Sequence, residues 1–156
     1  TTTMSQIASI LTNPAHIPLA YGLLLGMPGY HAFIMEVMGE KGEKAPDNDY
    51  ALRPCFDAPK PNEPQKFIKK LIQIRQNSDA LCNGSYRNVV IQNHQLIFEA
   101  AQKKERILVT VNASDSPYTA WHQELNGTVH DLISDTEIHM DGKLEIPPYS
   151  TMYLKF

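Results

Sequence analysis

Leu96-Ile97-Phe98-Glu99-Ala100-Ala101, then Gln102-Lys103-Lys104-Glu105-Arg106, then Ile107-Leu108-Val109-Thr110-Val111-Asn112-Ala113-Ser114: two apolar runs flank a charged pentapeptide. Leu96, Phe98 and Ala100 alternate in the first run; Ile107, Val109 and Val111 alternate in the second. Period-two alternation on both sides of a polar connection predicts a β-hairpin. The chain after residue 84 reads as built around it.

Downstream, short apolar runs recur at 118–122, 129–133, 138–140, 144–146 and 151–156, with another upstream at 86–91. Asn126-Gly127 and Asp141-Gly142 are dipeptides that suit tight hairpin turns. About eight short strands separated by turn signals predict an antiparallel sandwich or barrel. Its expected core includes Phe98, Val109, Val111, Leu132, Ile146 and Leu154.

Upstream the pattern changes. Residues 64–77 form the clearest helix: Phe67, Ile68, Leu71, Ile72 and Arg75 recur at spacings of three and four, and Lys66, Lys69, Lys70 and Gln73 take the other face. Arg75 in the last turn suits the negative end of the helix dipole. Residues 5–11 fit a short helix. Asn13-Pro14 is a helix-start pair ahead of a nearly apolar stretch, residues 15–25, which Gly26-Met27-Pro28-Gly29 ends. Residues 31–37 are apolar and short, as for a strand buried on both faces. Residues 39–64 are charged and rich in Pro, Gly and Asp, a long loop of the functional kind.

The chain has 156 residues, 42% hydrophobic and 20% charged, with net charge −3. That is a folded composition, with no basic run for nucleic acid or an anionic membrane. The apolar run at 19–25 is too short to cross a bilayer. Cys55 and Cys82 lack metal or redox spacing, which suits reduced thiols and a cytoplasmic setting. The six histidines show no metal pair, and no metal or other cofactor is expected. Asn83-Gly84-Ser85, Asn112-Ala113-Ser114 and Asn126-Gly127-Thr128 fit the glycosylation pattern. Trp121 and Tyr118 suit either stacking on a sugar ring or filling a sheet core.

The order of these pieces resembles the C-terminal end of an alpha-amylase family enzyme, glycoside hydrolase family 13. Gly26-Met27-Pro28-Gly29 stands at that family's Leu-x-Pro-Gly turn, and Ala45-Pro46-Asp47-Asn48 with Arg53-Pro54-Cys55-Phe56-Asp57 in its Asp-Asn…Arg-Pro loop. Residues 67–75, then Ala80-Leu81 and Gly84, stand at its last helix and exit; residues 107–114 and 144–150 resemble strands of its domain C. The pattern departs in two places: Phe33-Ile34-Met35-Glu36-Val37 lacks the glycine of the family's Tyr-Tyr-Gly-x-Glu, and extra residues separate Asn48 from Arg53.

The resemblance implies an α+β fold. Residues 1–83 would be the last strand and helices of a (β/α)8 barrel, and residues 84–156 an all-β antiparallel sandwich. It implies a parent glycosidase or transglycosidase acting on an α-glucan, with Asp47, Asn48 and Arg53 as substrate-binding residues. Glu36 could face the same site, though a structural role explains it as simply. A retaining mechanism needs two carboxylates about 5 Å apart, and none of the family's catalytic motifs is in this chain. The chain is therefore expected to begin just after them and to be inert alone. Without its barrel neighbours, the 1–63 segment should pack on the β-domain or pair two copies as a homodimer. The rival reading is a non-catalytic module whose β-domain binds carbohydrate or a protein.

Overall fold

In the computed structural model, which describes residues 7–32 and 62–156, the two apolar runs around the charged pentapeptide form strands β2 (Gln95–Gln102) and β3 (Glu105–Asn112). They pair antiparallel in full register from Gln95↔Asn112 to Gln102↔Glu105, so only Lys103 and Lys104 make the turn. Strand β1 is Ser85–Ile91, β4 Tyr118–Asp131, β5 Thr136–Ile146 and β6 Ser150–Lys155. All six belong to one antiparallel sheet in the order β1-β2-β3-β6-β4-β5.

The sheet curls. β4 pairs with β6 only at His130↔Lys155 and Asp131↔Leu154. Beyond that point the β4–β5 hairpin folds over one face of β2, β3 and β6 and buries Ile97, Leu108, Ala120, Leu125, Val129, Met140, Leu144, Ile146 and Leu154. An ionic lattice closes the far end of this layer. Arg87 on β1 reaches Glu99 at 3.1 Å and Glu124 on β4 at 2.5 Å, and Arg106 bonds to Glu99 and lies 3.4 Å from Glu124.

Helices cover the other face. They are α1 (Ile7–Ile10), α2 (His16–Gly26), α3 (Glu63–Gln76) and α4 (Asp79–Asn83). Tyr21, Leu25, Ile68, Leu71, Ala80 and Leu81 pack there on Phe98, Ala100, Ile107, Val109 and Tyr153. Each large side chain so buried contributes roughly 1.5–3 kcal/mol. Asn62 caps α3 by accepting from the Gln65 amide at 2.9 Å, and Ser78 caps α4 by accepting from Leu81 at 3.1 Å. Pro18 falls in the first turn of α2, where its missing N–H costs nothing.

Helix α2 reaches the sheet through two glycines one turn apart. A Cβ on Gly22 would stand 2.8 Å from the Thr151 side chain, and one on Gly26 would stand 2.7 Å from a Val109 methyl. The Tyr153 hydroxyl donates to the Gly22 carbonyl at 2.6 Å. Burial pushes that phenol's pKa up, against a small opposing pull from the Arg75 charge.

Several expectations are corrected here. The runs at 118–122 and 129–133 belong to one strand, β4, and those at 138–140 and 144–146 to another, β5, so six strands replace about eight. Asn126-Gly127 and Asp141-Gly142 are not hairpin turns: they lie opposite one another inside the ladder, as Asn126↔Asp141 and Gly127↔Met140. The chain reverses at residues 132–135 instead. Leu132 sits in that turn, half-buried against the helix-side core, while the other five expected core residues are buried. Of the expected strand at 31–37, His31 and Ala32 lie in no helix or strand, and residues 33–37 lie outside the described residues.

Candidate functional site

Asp47, Asn48, Arg53 and Glu36, the candidates implied by the resemblance, lie outside the described residues, as do Cys55 and most of the 39–64 loop. What is described is the ground on either side. The chain leaves it at Ala32 and returns at Asn62, and a cleft of about 480 Å³ opens beside the departure, lined by Tyr30, His31 and Ala32 together with Ile72, Arg75 and Cys82.

Arg75 organises this ground. It lies in phase with the apolar face of α3 and is 8% exposed. Its guanidinium donates to the Leu25 carbonyl at 2.8 Å, the Met27 carbonyl at 2.7 Å and the Gly29 carbonyl. A cation thereby satisfies the open carbonyls at the end of α2 and sits at the negative end of its dipole. Among the described residues its hydrogen-bond partners are all backbone. The same turn is held twice more: the Gly29 amide donates to the Cys82 carbonyl at 3.2 Å, and a His31 ring nitrogen meets the Met27 carbonyl at 2.9 Å. The Cys82 thiol, free in this structure, donates to the Arg75 carbonyl at 3.2 Å. Arg75, Cys82 and His31 therefore fix the direction in which the chain departs towards residues 33–61.

The described lining of the cleft has donors but no Asp or Glu. It can position a chain or a polar ligand; it holds no carboxylate pair for glycosidic bond cleavage. Among the described residues no group of three metal-capable side chains exists. His16 is used structurally, meeting the Ala113 carbonyl at 3.2 Å.

Sequence reasoning placed Arg75 at the helix end but missed the buried clamp. The available signal was a cation recurring in phase with Ile68 and Leu71. Asn112 was read as part of an acceptor triplet, yet it is fully buried. Its amide nitrogen donates towards the carbonyls of Ser116, Ile146 and Pro147, and its oxygen accepts from Gln95, Ser114 N and Ser114 Oγ. It ties the ends of three strands together. Asn126 also has partners, the Gln123 carbonyl and the Gly142 amide. Of the two aromatic candidates, Tyr118 packs partly buried on the hairpin-side core, whereas Trp121 is 71% exposed.

No protein-family model and no curated protein matches the sequence. Solved structures do match the fold. An alpha-amylase from Anoxybacillus is similar over 92% of this chain with a TM-score of 0.78 at 18% identity, and the match covers 32% of that enzyme. The alpha-amylase from Geobacillus thermoleovorans, complexed with acarbose, matches 92% of this chain and 33% of its own, with a TM-score of 0.75 at 19% identity. A Nostoc punctiforme debranching enzyme soaked with acarbose matches 98% of this chain and 32% of its own, with a TM-score of 0.69 at 22% identity. The chain thus spans about a third of the length of the enzymes it resembles. The resemblance read from the order of the motifs is borne out in three dimensions.

Proposed function

We propose that this chain is the C-terminal part of an alpha-amylase-type glycosidase or transglycosidase acting on α-glucans. In this reading residues 1–83 complete the catalytic barrel and residues 84–156 form the β-domain behind it. The carrying observation is the reach of the likeness. A match over 92% of the chain cannot be met by strands β1–β6 alone and takes in the helical part as well. A free-standing sugar-binding module would share the strands only.

The division of labour follows. The acid/base and nucleophile carboxylates would lie on preceding barrel strands, and this chain would add the loop that leaves the Arg75 clamp. Asp47, Asn48 and Arg53 would meet sugar hydroxyls from that loop: a carboxylate accepts two of them, and a guanidinium donates in a fixed fork. Barrel enzymes keep their sites at this end of the strands. Alone, the chain would bind no transition state and hydrolyse nothing. The apolar residues left exposed on the helices, Ile10 of α1 at 63% and Leu24 of α2 at 37%, would then pair two copies as a symmetric dimer.

Three measurements test this. The purified 156-residue chain should release no reducing sugar from soluble starch, and sustained turnover would sink the reading. In the full-length enzyme, Arg53→Ala should raise KM for maltooligosaccharide about tenfold or more. An unchanged KM would remove Arg53 from the binding site. Light scattering on the chain alone should give twice the monomer mass, and a clean monomer would end the dimer.

A further inference from the structure

We propose that the outer face of the β4–β5 hairpin carries a second binding site for α-1,4-linked glucan, a surface platform centred on Trp121. The ligand class rests on the function proposed above; the platform rests on the following geometry.

The register of the hairpin sets the face. Ala120↔Leu144 and Gly127↔Met140 point into the core, so Trp121↔Lys143 and Asn126↔Asp141 point outward on the same side. Directly opposed side chains in such a ladder lie about 5 Å apart at Cβ, and diagonal ones about 7–8 Å. Trp121, Lys143, Asn126 and Asp141 thus form a patch of one or two sugar rings' breadth: an indole, an ammonium, an amide and a carboxylate. The indole supplies an apolar plane for the C–H face of a pyranose, and the other three supply donors and acceptors for its hydroxyls. A Lys143 ammonium 5.7 Å from the ring centre helps hold the indole in place.

The patch is rigidly supported. The ladder breaks between Trp121 and Asn126, and such bulges re-aim side chains. Each residue of the bulge's second half is pinned. Leu125 is fully buried, and Glu124 is bound by Arg87, which holds its carboxyl below the usual range. Asn126 spans the ladder from the Gln123 carbonyl at 2.6 Å to the Gly142 amide at 3.0 Å. The bulge is therefore a fixed feature, and the exposed indole stands on the regular ladder at its edge. The patch also faces away from the helices, which cover the opposite side of the molecule's central strands. Its residues all belong to β4 and β5.

The chain has one tryptophan, so its fluorescence reports this site alone. Titrating the 156-residue chain with maltoheptaose should give a saturable change in Trp121 emission, and cellohexaose should give none. In native gels containing amylopectin the chain should be retarded, and Trp121→Ala should weaken the retardation by about tenfold or more in apparent affinity while leaving the thermal midpoint unchanged. Flat emission with maltoheptaose, an equal response to cellohexaose, or undiminished retardation of Trp121→Ala would each overturn the proposal. None of these results bears on starch hydrolysis by the full-length enzyme, so the platform and the catalytic reading can fail separately.

Discussion

The two faces of strands β2, β3 and β6 are buried by different kinds of structure. On one face the cover is the β4–β5 hairpin, contiguous in sequence, whose apolar residues alternate into one buried layer. On the other the cover is helical and comes from far away in the chain. The Tyr153–Gly22 bond spans 131 positions and the Arg75–Leu25 bond 50. The hairpin face is held mostly by side-chain packing. The helical face adds close backbone approach at Gly22 and Gly26 and buried polar bonds to backbone carbonyls. Packing degrades gradually when one residue is altered, but a buried polar bond leaves a desolvated partner behind. The helical face should therefore be the more brittle and the first to open.

The harshest way to probe this is to damage the shared strands. Val109 is fully buried beneath Gly26. Val109→Asp would place an unpaired charge there at a cost of roughly 3–5 kcal/mol or more, enough to abolish cooperative unfolding in circular dichroism. A folded, soluble Val109→Asp protein would mean that the strand phase is wrong. A milder change separates the faces. Arg75→Met strands three carbonyls and should cost about 2–4 kcal/mol. Hydrogen exchange should quicken in α2 while β4–β5 amides stay protected; equal loss on both faces would refute the difference in brittleness.

The smallest effect concerns Glu105, which joins α4 to strands β3 and β6. Burial would raise its pKa, but bonds from the Ala80 amide, Lys155 and Ser78 outweigh that, and the net shift is downward. A depressed folded-state pKa gives stability that is present above the unfolded value and is lost as pH falls through the folded one. Glu105→Gln should thus cost about 1 kcal/mol at neutral pH, and the gap to the parent should close on acidification below the ordinary carboxylate range. A constant difference across pH would assign the loss to packing.

How much of this was legible follows the same division. The β2–β3 hairpin and helix α3 could be read directly, because their periods and caps are written in adjacent residues. The β4–β5 hairpin was misread for a physical reason. Gly127 and Gly142 do adopt positive φ, +102° and +69°, as their turn-like dipeptides predict, but they do so within strands. The chain reverses where non-glycine residues take positive φ: Lys103 at 53°, Asp135 at 61° and Tyr149 at 46°. Sequence reports a preference for left-handed backbone; whether the chain turns there depends on what lies across the ladder. Asp131 supplies that at the real reversal, accepting from Ile133, Ser134 and Tyr153 amides. The Arg75 clamp was half legible, since phase revealed its face but not the carbonyls waiting there. For the proposed sugar-binding residues Asp47, Asn48 and Arg53, only the resemblance speaks.

The strand order carries one more consequence, for biosynthesis. β6 follows β5 in the chain, yet it lies inside the sheet, between β3 and β4. Until residues 150–155 emerge, β3 has an open edge and the β4–β5 hairpin has nothing to join. Tyr153, which reaches helix α2, and Leu154, which reaches the hairpin layer, arrive together in that one segment. A nascent chain can form hairpins as it grows, but neither buried layer can close before residues 150–155 have been made. Loss of residues 150–155 would leave two open strand edges of the kind that draw chains together.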